Sequence, residues 1–179
     1  MPSSKRMQSG AFPGKGLSAF LLLAILALSG CNYTLRAGSG LPSHIRTLAV
    51  IPFDNDSDRF EVSQELFEAI LREIPRSFGV QTAGEEFADA YIRGRIRSYS
   101  VDAPSYRAGD AGAQVVERQV NISVQVQVVD RANNLVLWED IGLNARGEFL
   151  EASELEEAGR ALAVTRLVRA IIDGLQSNW

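Results

Sequence analysis

The sequence predicts an α+β domain of order β-α-β-β-β-β-α, a mixed or antiparallel sheet with two helices packed on one face. Three observations predict it. Residues 116–128 alternate apolar and polar almost without a break, two segments carry apolar residues at helical spacing, and no repeat or low-complexity tract interrupts them. Ordered structure is expected over 46–179.

The first strand is Thr47-Leu48-Ala49-Val50-Ile51, closed by Pro52. Asp54-Asn55-Asp56-Ser57-Asp58 then reads as a turn and helix start, its acids placed to complement the dipole of the helix that follows. Val62, Leu66, Ala69, Ile70 and Ile74 recur at helical spacing up to Pro75. A short strand is expected over Phe78–Gln81 and a longer one over Ala90–Val101. In the latter, Ala90, Ile92, Gly94 and Ile96 face one way and Tyr91, Arg93, Arg95, Arg97 and Tyr99 the other. The small-residue stretch Ala103–Ala113 reads as a loop. Beyond it Val116, Val120, Ile122, Val124, Val126 and Val128 oppose Glu117, Gln119, Asn121, Ser123, Gln125 and Gln127, and only Arg118 breaks the alternation. One face of that strand belongs on a core and the other toward water or a partner.

Asp130-Arg131-Ala132-Asn133-Asn134 suits a hairpin turn, because Asp and Asn tolerate left-handed backbone. Leu135–Phe149 is the last strand, with Leu135, Leu137, Ile141, Leu143 and Ala145 in register. Ser153-x-x-Glu156 has the form of a capping box. It opens a helix whose apolar stripe is Leu155, Ala158, Leu162, Val168, Ile171, Ile172 and Leu175.

Charge narrows the function. The 179 residues carry a net −4, but the first thirty hold Lys5, Arg6 and Lys15 and no acid. The remainder sets 15 basic residues, all Arg, against 22 acids. An acidic body argues against a general nucleic-acid binder, whose affinity comes from neutralising phosphates. One Cys and one His exclude a disulfide framework and a Cys/His zinc site.

The N-terminus reads as an address. A positive leader precedes Leu17–Leu28, an apolar run whose helix would rise about 18 Å, against roughly 30 Å of bilayer hydrocarbon. That is a secretory signal rather than a spanning helix. Leu28-Ser29-Gly30-Cys31 resembles the lipobox of bacterial lipoproteins, with Cys31 as the lipidated new N-terminus. Several acyl chains anchor stably where one does not. Asn32 stands where Asp would signal inner-membrane retention, which favours the outer membrane. The expected organisation is a signal peptide over 1–30, a lipidated N-terminus and flexible tether over 31–45, and the α+β domain over 46–179.

Several segments then carry a family resemblance. Cys31-Asn32-Tyr33-Thr34-Leu35, His44 to Asn55 (HIRTLAVIPFDN), Ala88 to Ile96 (ADAYIRGRI) and Val136-Leu137-Trp138-Glu139 follow one another as in the LPS-assembly lipoprotein family LptE, in its form without long insertions. The chain resembles that family over most of 31–175. The resemblance implies a non-enzymatic, cofactor-free lipoprotein that plugs and helps assemble the outer-membrane LPS translocon barrel, LptD, and contacts lipopolysaccharide. Ile51-Pro52-Phe53-Asp54-Asn55 behind a lipobox also resembles periplasmic lipoprotein modules that activate peptidoglycan synthases or form secretion channels.

The candidate ligand site is the row Arg93, Arg95, Arg97, spaced roughly 6.6–7 Å apart by strand rise. Guanidinium grips phosphate bidentately, which suits the phosphorylated inner sugars of lipopolysaccharide. Cross-strand pairing with acids such as Glu117 or Glu139 is the competing use. Tyr91, Tyr99 and Tyr106 are expected to cover the edges of their own sheet, and Trp138 to pack beneath the C-terminal segment. Asp54, Asp56, Asp58 and Glu65 echo a calcium loop, but Arg59 stands where that loop needs Gly. No metal site and no catalytic residue is assigned. His44 falls in the tether without a nucleophile beside it.

Overall fold

The computed structural model describes residues 41–109 and 112–177, with side chains described outside 104–115. Its strands are β1 (Thr47–Val50), β2 (Asp54–Asn55), β3 (Gln81–Thr82), β4 (Ala90–Gly109), β5 (Gly112–Asp130) and β6 (Leu135–Leu150). Helix α1 (Glu61–Phe78) lies between β2 and β3, and α2 (Glu156–Ser177) follows β6. Spatial order is β3-β1-β4-β5-β6, with β2 continuing beside β4 where β1 leaves off. The β1 side pairs in parallel and β4-β5-β6 is an antiparallel meander, so the sheet is mixed. The α+β class and the single helix-bearing face match the sequence reading.

Both helices lie over one face of the sheet, α1 against β1 and β3, α2 against β5 and β6. Val62, Leu66, Ile70, Ile74 and Phe78 of α1 are buried, at the predicted spacing. Pro75 does not end this helix. Lacking only one N–H near the C-terminus, it sits within the last turn, and Gly79 stops the helix in a left-handed conformation (φ 67°) with its N–H bonded to Pro75 O at 3.0 Å. The Asp54–Asp58 cluster does not cap α1: the N-cap is Phe60, with no side-chain cap bond. Instead the Asn55 side chain organises the turn, accepting from Ser57 N and donating to Arg59 O.

The predicted loop Ala103–Ala113 is mostly strand: β4 runs to Gly109 and β5 starts at Gly112. Small residues and Pro104 mimic a loop, yet pairing continues through Gly109↔Gly112. A register shift between Ile96 and Ser98 leaves Arg97 as the extra residue of a β-bulge. Arg97 and Ser98 are both exposed, and Tyr99 pairs with buried Ile122. The bulge therefore turns Tyr99 to the helix face, opposite to the face that strict alternation predicts.

Strand β6 departs from period two for the same reason. Shifts bring Val128 opposite Trp138 and Val126 opposite Asp140, while Ile141 turns outward and is 74% exposed. Leu137 is buried and Leu135 is exposed, so only part of the predicted register survives. The Ser153–Glu156 capping box does not form either. Helix α2 starts at Glu156, whose carboxylate accepts from Tyr99 Oη at 2.7 Å and pairs with Arg59.

The stripe of α2 is also rotated in its first half. Gly159, Ala163, Val164 and Leu167 are buried, whereas Leu155 and Leu162 are exposed. Backbone proximity explains the rotation. A Cβ on Gly147 would overlap the Gly159 carbonyl, and one on Gly159 would lie 2.7 Å from Phe149 Cδ1. The helix presents its smallest residues so that its axis can approach β6 closely. Trp138 packs with this helix as expected, its indole lying where a Cβ on Gly174 would stand.

The stretch entering the domain is described from residue 41, and that end of the expected tether is packed: Leu41 and Ile45 are buried. Asp89 accepts from Arg46 N, Thr47 N and Thr47 Oγ1, each at 2.9 Å. Asp130, 1% exposed, accepts from His44 Nε2 and Asn133 Nδ2, each at 2.7 Å.

Candidate functional site: the polar face of the sheet

The face of β4-β5-β6 away from the helices is lined by the polar half of each alternating strand. Register places Arg93 opposite Gln127, Arg95 opposite Gln125, Ser100 opposite Asn121 and Asp102 opposite Gln119. The next strand adds Glu139, Arg146 and Glu148 to these rows, and Asn144 to the row of Ser98 and Ser123. Near the β1 end the row Ala49, Tyr91, Val129 and Val136 is apolar. Among the described residues no element covers this face.

The three arginines predicted as a row lie here, all exposed, but the structure gives them different partners. Arg95 pairs with both Asp54 and Asp56 at 3.2 Å, which answers why the acid cluster caps no helix. Arg93 donates to Gln127 Oε1 through Nε at 2.9 Å and through a terminal nitrogen at 2.7 Å. Its guanidinium also lies 5.7 Å from the Tyr91 ring centroid. Arg97 reaches Gln125 Oε1 at 3.5 Å. An amide oxygen orients a guanidinium without neutralising it, so positive charge persists at Arg93 and Arg97 and is offset at Arg95. Glu117 and Glu139 are not the partners of any of the three.

Local backbone shapes the surface beside them. Between β1 and β2 the chain leaves the sheet at Ile51-Pro52-Phe53, and Phe53 turns inward, 3% exposed, over Gly94. A Cβ on Gly94 would stand 2.5 Å from Phe53 Cε2, so the ring takes the space that the glycine leaves. On the outer side this break opens a depression of about 510 Å³ between Pro52, Asp54, Arg93, Arg95 and Gln125. A second, of about 280 Å³, adjoins it at Ile51 and Arg93 and adds Tyr91 and Arg131. Arg131, in the β5–β6 turn, donates to Glu85 O. Sequence reading passed over Arg131 because the residue sits in a turn, outside the alternation that marks the row.

Other predicted positions are placed as follows. Tyr91 shares the outer face with the arginines, whereas Tyr99 is carried inward by the bulge. Burial first, then the bond and the charge of Glu156, push the Tyr99 hydroxyl above its ordinary value, so it stays a donor. The Tyr106 side chain and Cys31 lie outside the described residues. Among the described residues no group of three His, Cys, Asp or Glu gathers as metal ligands, and no helix is long and apolar enough to cross a membrane. The arrangement offers recognition chemistry: fixed cations, amide donors and acceptors, and an open relief.

Similarity to known proteins now bears on these features. Solved structures that share the fold include the hypothetical protein CT253 from Chlamydia trachomatis, with TM-score 0.52 and 16% identity, over 73% of this chain and 95% of that one. Protein XCC0632 from Xanthomonas campestris has TM-score 0.50 and 9% identity, over 74% of this chain and 85% of that one. At such identities the likeness is one of fold alone. No curated protein matches the chain. A family model described as "LptE: Lipopolysaccharide-assembly" matches residues 45–177, which spans every strand and both helices. The chain belongs to the LptE family of lipopolysaccharide assembly.

Proposed function

We propose that the protein is a lipid-anchored lipoprotein on the periplasmic side of the outer membrane, which binds and plugs the LPS translocon β-barrel and assists LPS insertion. Residues 1–30 are its signal peptide, Cys31 its acylated N-terminus, 31–45 the link to the membrane and 46–179 the binding domain. The observation that carries the reading is the uncovered polar face, with charge left on Arg93 and Arg97, in a chain of the lipopolysaccharide-assembly family. A wet barrel lumen suits such a face, because bridging waters satisfy polar groups at little cost. Arg93, Arg95 and Arg97 contact LPS phosphate, with Arg93 and Arg97 contributing most. The protein works by binding and performs no reaction.

Affinity purification from detergent-solubilised membranes tests this. A large outer-membrane barrel should be recovered with the chain, and purified LPS should bind it. Recovery of the chain free of any barrel would overturn the proposal.

A further inference from the structure

The two long edges of the sheet differ in how their backbone is finished. On β6, which among the described residues pairs with β5 alone, side chains occupy outward groups at several residues. Asp140 accepts from Gly142 N at 2.8 Å, and Asn144 Nδ2 donates to Gly142 O at 2.5 Å. Arg166 of α2 donates to Arg146 O at 2.7 Å, and Glu154 accepts from Leu150 N at 2.6 Å. Register shifts on either side of Glu139 further break its line.

The opposite edge, on β4, has no such finish over Ser98–Ala103 among the described residues. Pairing with β2 stops at Asn55↔Ile96, and the last bond on that side is Asp56 N to Ile96 O at 2.9 Å. From Ser98 to Gly109, among the described residues, β4 pairs with β5 alone. Pairing of β5 with β6 ends at Glu117↔Leu150, so the outer part of this hairpin continues as a two-stranded ribbon. Two strands alone are marginal in water and gain from a third.

We infer that the β4 edge over Ser98–Gly109 receives an extended strand of the partner barrel polypeptide, by main-chain pairing that lengthens the sheet. This rests on the function proposed above and specifies how the partner is held. Main-chain bonds supply affinity in this mode, and alternate side chains supply selectivity. Tyr99 and Val101 are half-buried on the helix side, while Ser98, Ser100 and Asp102 are exposed on the other. The incoming strand should therefore alternate, apolar toward Tyr99 and Val101 and polar or basic beside Asp102. The Arg59 guanidinium lies 5.6 Å from the Tyr99 ring centroid, so a cation stands close to that edge.

Amide hydrogen exchange on the co-purified barrel complex and on the free chain tests this. Every second amide between Ser98 and Gly109 should slow by about a hundredfold in the complex, with Gly142–Leu150 unchanged. Benzophenone residues at Ser100 and Asp102 should cross-link to the barrel, and adducts from neither would contradict the edge. A bound barrel with exchange unchanged over Ser98–Gly109, or with slowing on β6 in its place, would overturn the edge inference and leave the function standing. Adducts to a second copy of the chain would overturn it too. Absence of any barrel from the purification would remove both.

Discussion

The two faces of one sheet, made from the same three strands, obey different rules. Toward the helices, Val120, Ile122, Val124, Val126 and Val128 are all buried, and α2 comes so close that Gly147 and Gly159 leave no room for a Cβ. On the other side Gln119, Asn121, Ser123, Gln125 and Gln127 stay partly open beneath a layer of arginines and acids. The inner face sets the fold by volume. The outer face is nearly free of that constraint, so its residues are available to serve recognition.

The comparison is sharpest where packing is tightest. Ile122→Ala removes a side chain 1% exposed and should cost about 3 kcal/mol, read as a lower urea midpoint at unchanged slope. Gly159→Val puts a branched side chain against Phe149 and the Gly147 carbonyl, and should cost about 2 to 3 kcal/mol by forcing α2 off β6. If either variant melted like the parent, the inner face would not be the determinant described.

A smaller effect is expected at the entry to the domain. Asp130→Ala leaves His44 and Asn133 without their shared acceptor and should cost about 1 to 2 kcal/mol. The neighbouring Asp89 gives a pH signature. Bonds from the Arg46 backbone, then from the Thr47 side chain and backbone, hold its carboxyl below the ordinary carboxylate range. A lowered folded-state pKa contributes stability above the unfolded value, about pH 4, and loses it as pH falls through the folded value. Asp89→Asn should therefore be less stable than the parent at pH 7, with the gap closing as both are acidified in parallel denaturation series. A constant gap would contradict the assignment.

The smallest stability effect belongs to the outer face. Replacing Arg93, Arg95 and Arg97 together by Gln should change stability by less than about 1 kcal/mol, since exposed ion pairs contribute little. Binding to purified LPS should fall several-fold all the same. Among single variants Arg95→Gln should matter least, because Asp54 and Asp56 already offset its charge.

How far these faces could be read from residues alone depends on where period two holds. From Gln119 to Val128 it holds, and the sequence places every side chain of β5 on its proper face. Helix α1 is equally readable, because an 18-residue amphipathic stripe tolerates a proline in its last turn. The bulge at Arg97 defeats the same arithmetic: one extra residue moves Tyr99 across the sheet, and no local residue type announces it. The early part of α2 fails differently. Leu155 and Leu162 are the larger apolar residues, but a close backbone approach selects Gly159 and Ala163, a requirement visible only when β6 is in place. Within the candidate site, the arginine row was legible as a row. The inequality within it was not, because Asp54 and Asp56 reach Arg95 through a parallel pairing of β2 that two residues cannot signal.

The most direct measurement is barrel recovery with a variant that alters only the open face. Gln125→Trp places a bulky ring opposite Arg95 and in place of the acceptor of Arg97, on the side of β5 away from the core. The thermal midpoint should stay within a few degrees of the parent while the co-purified barrel drops to a small fraction. Undiminished recovery of the barrel with the ring in place would show that this face is not where the partner sits.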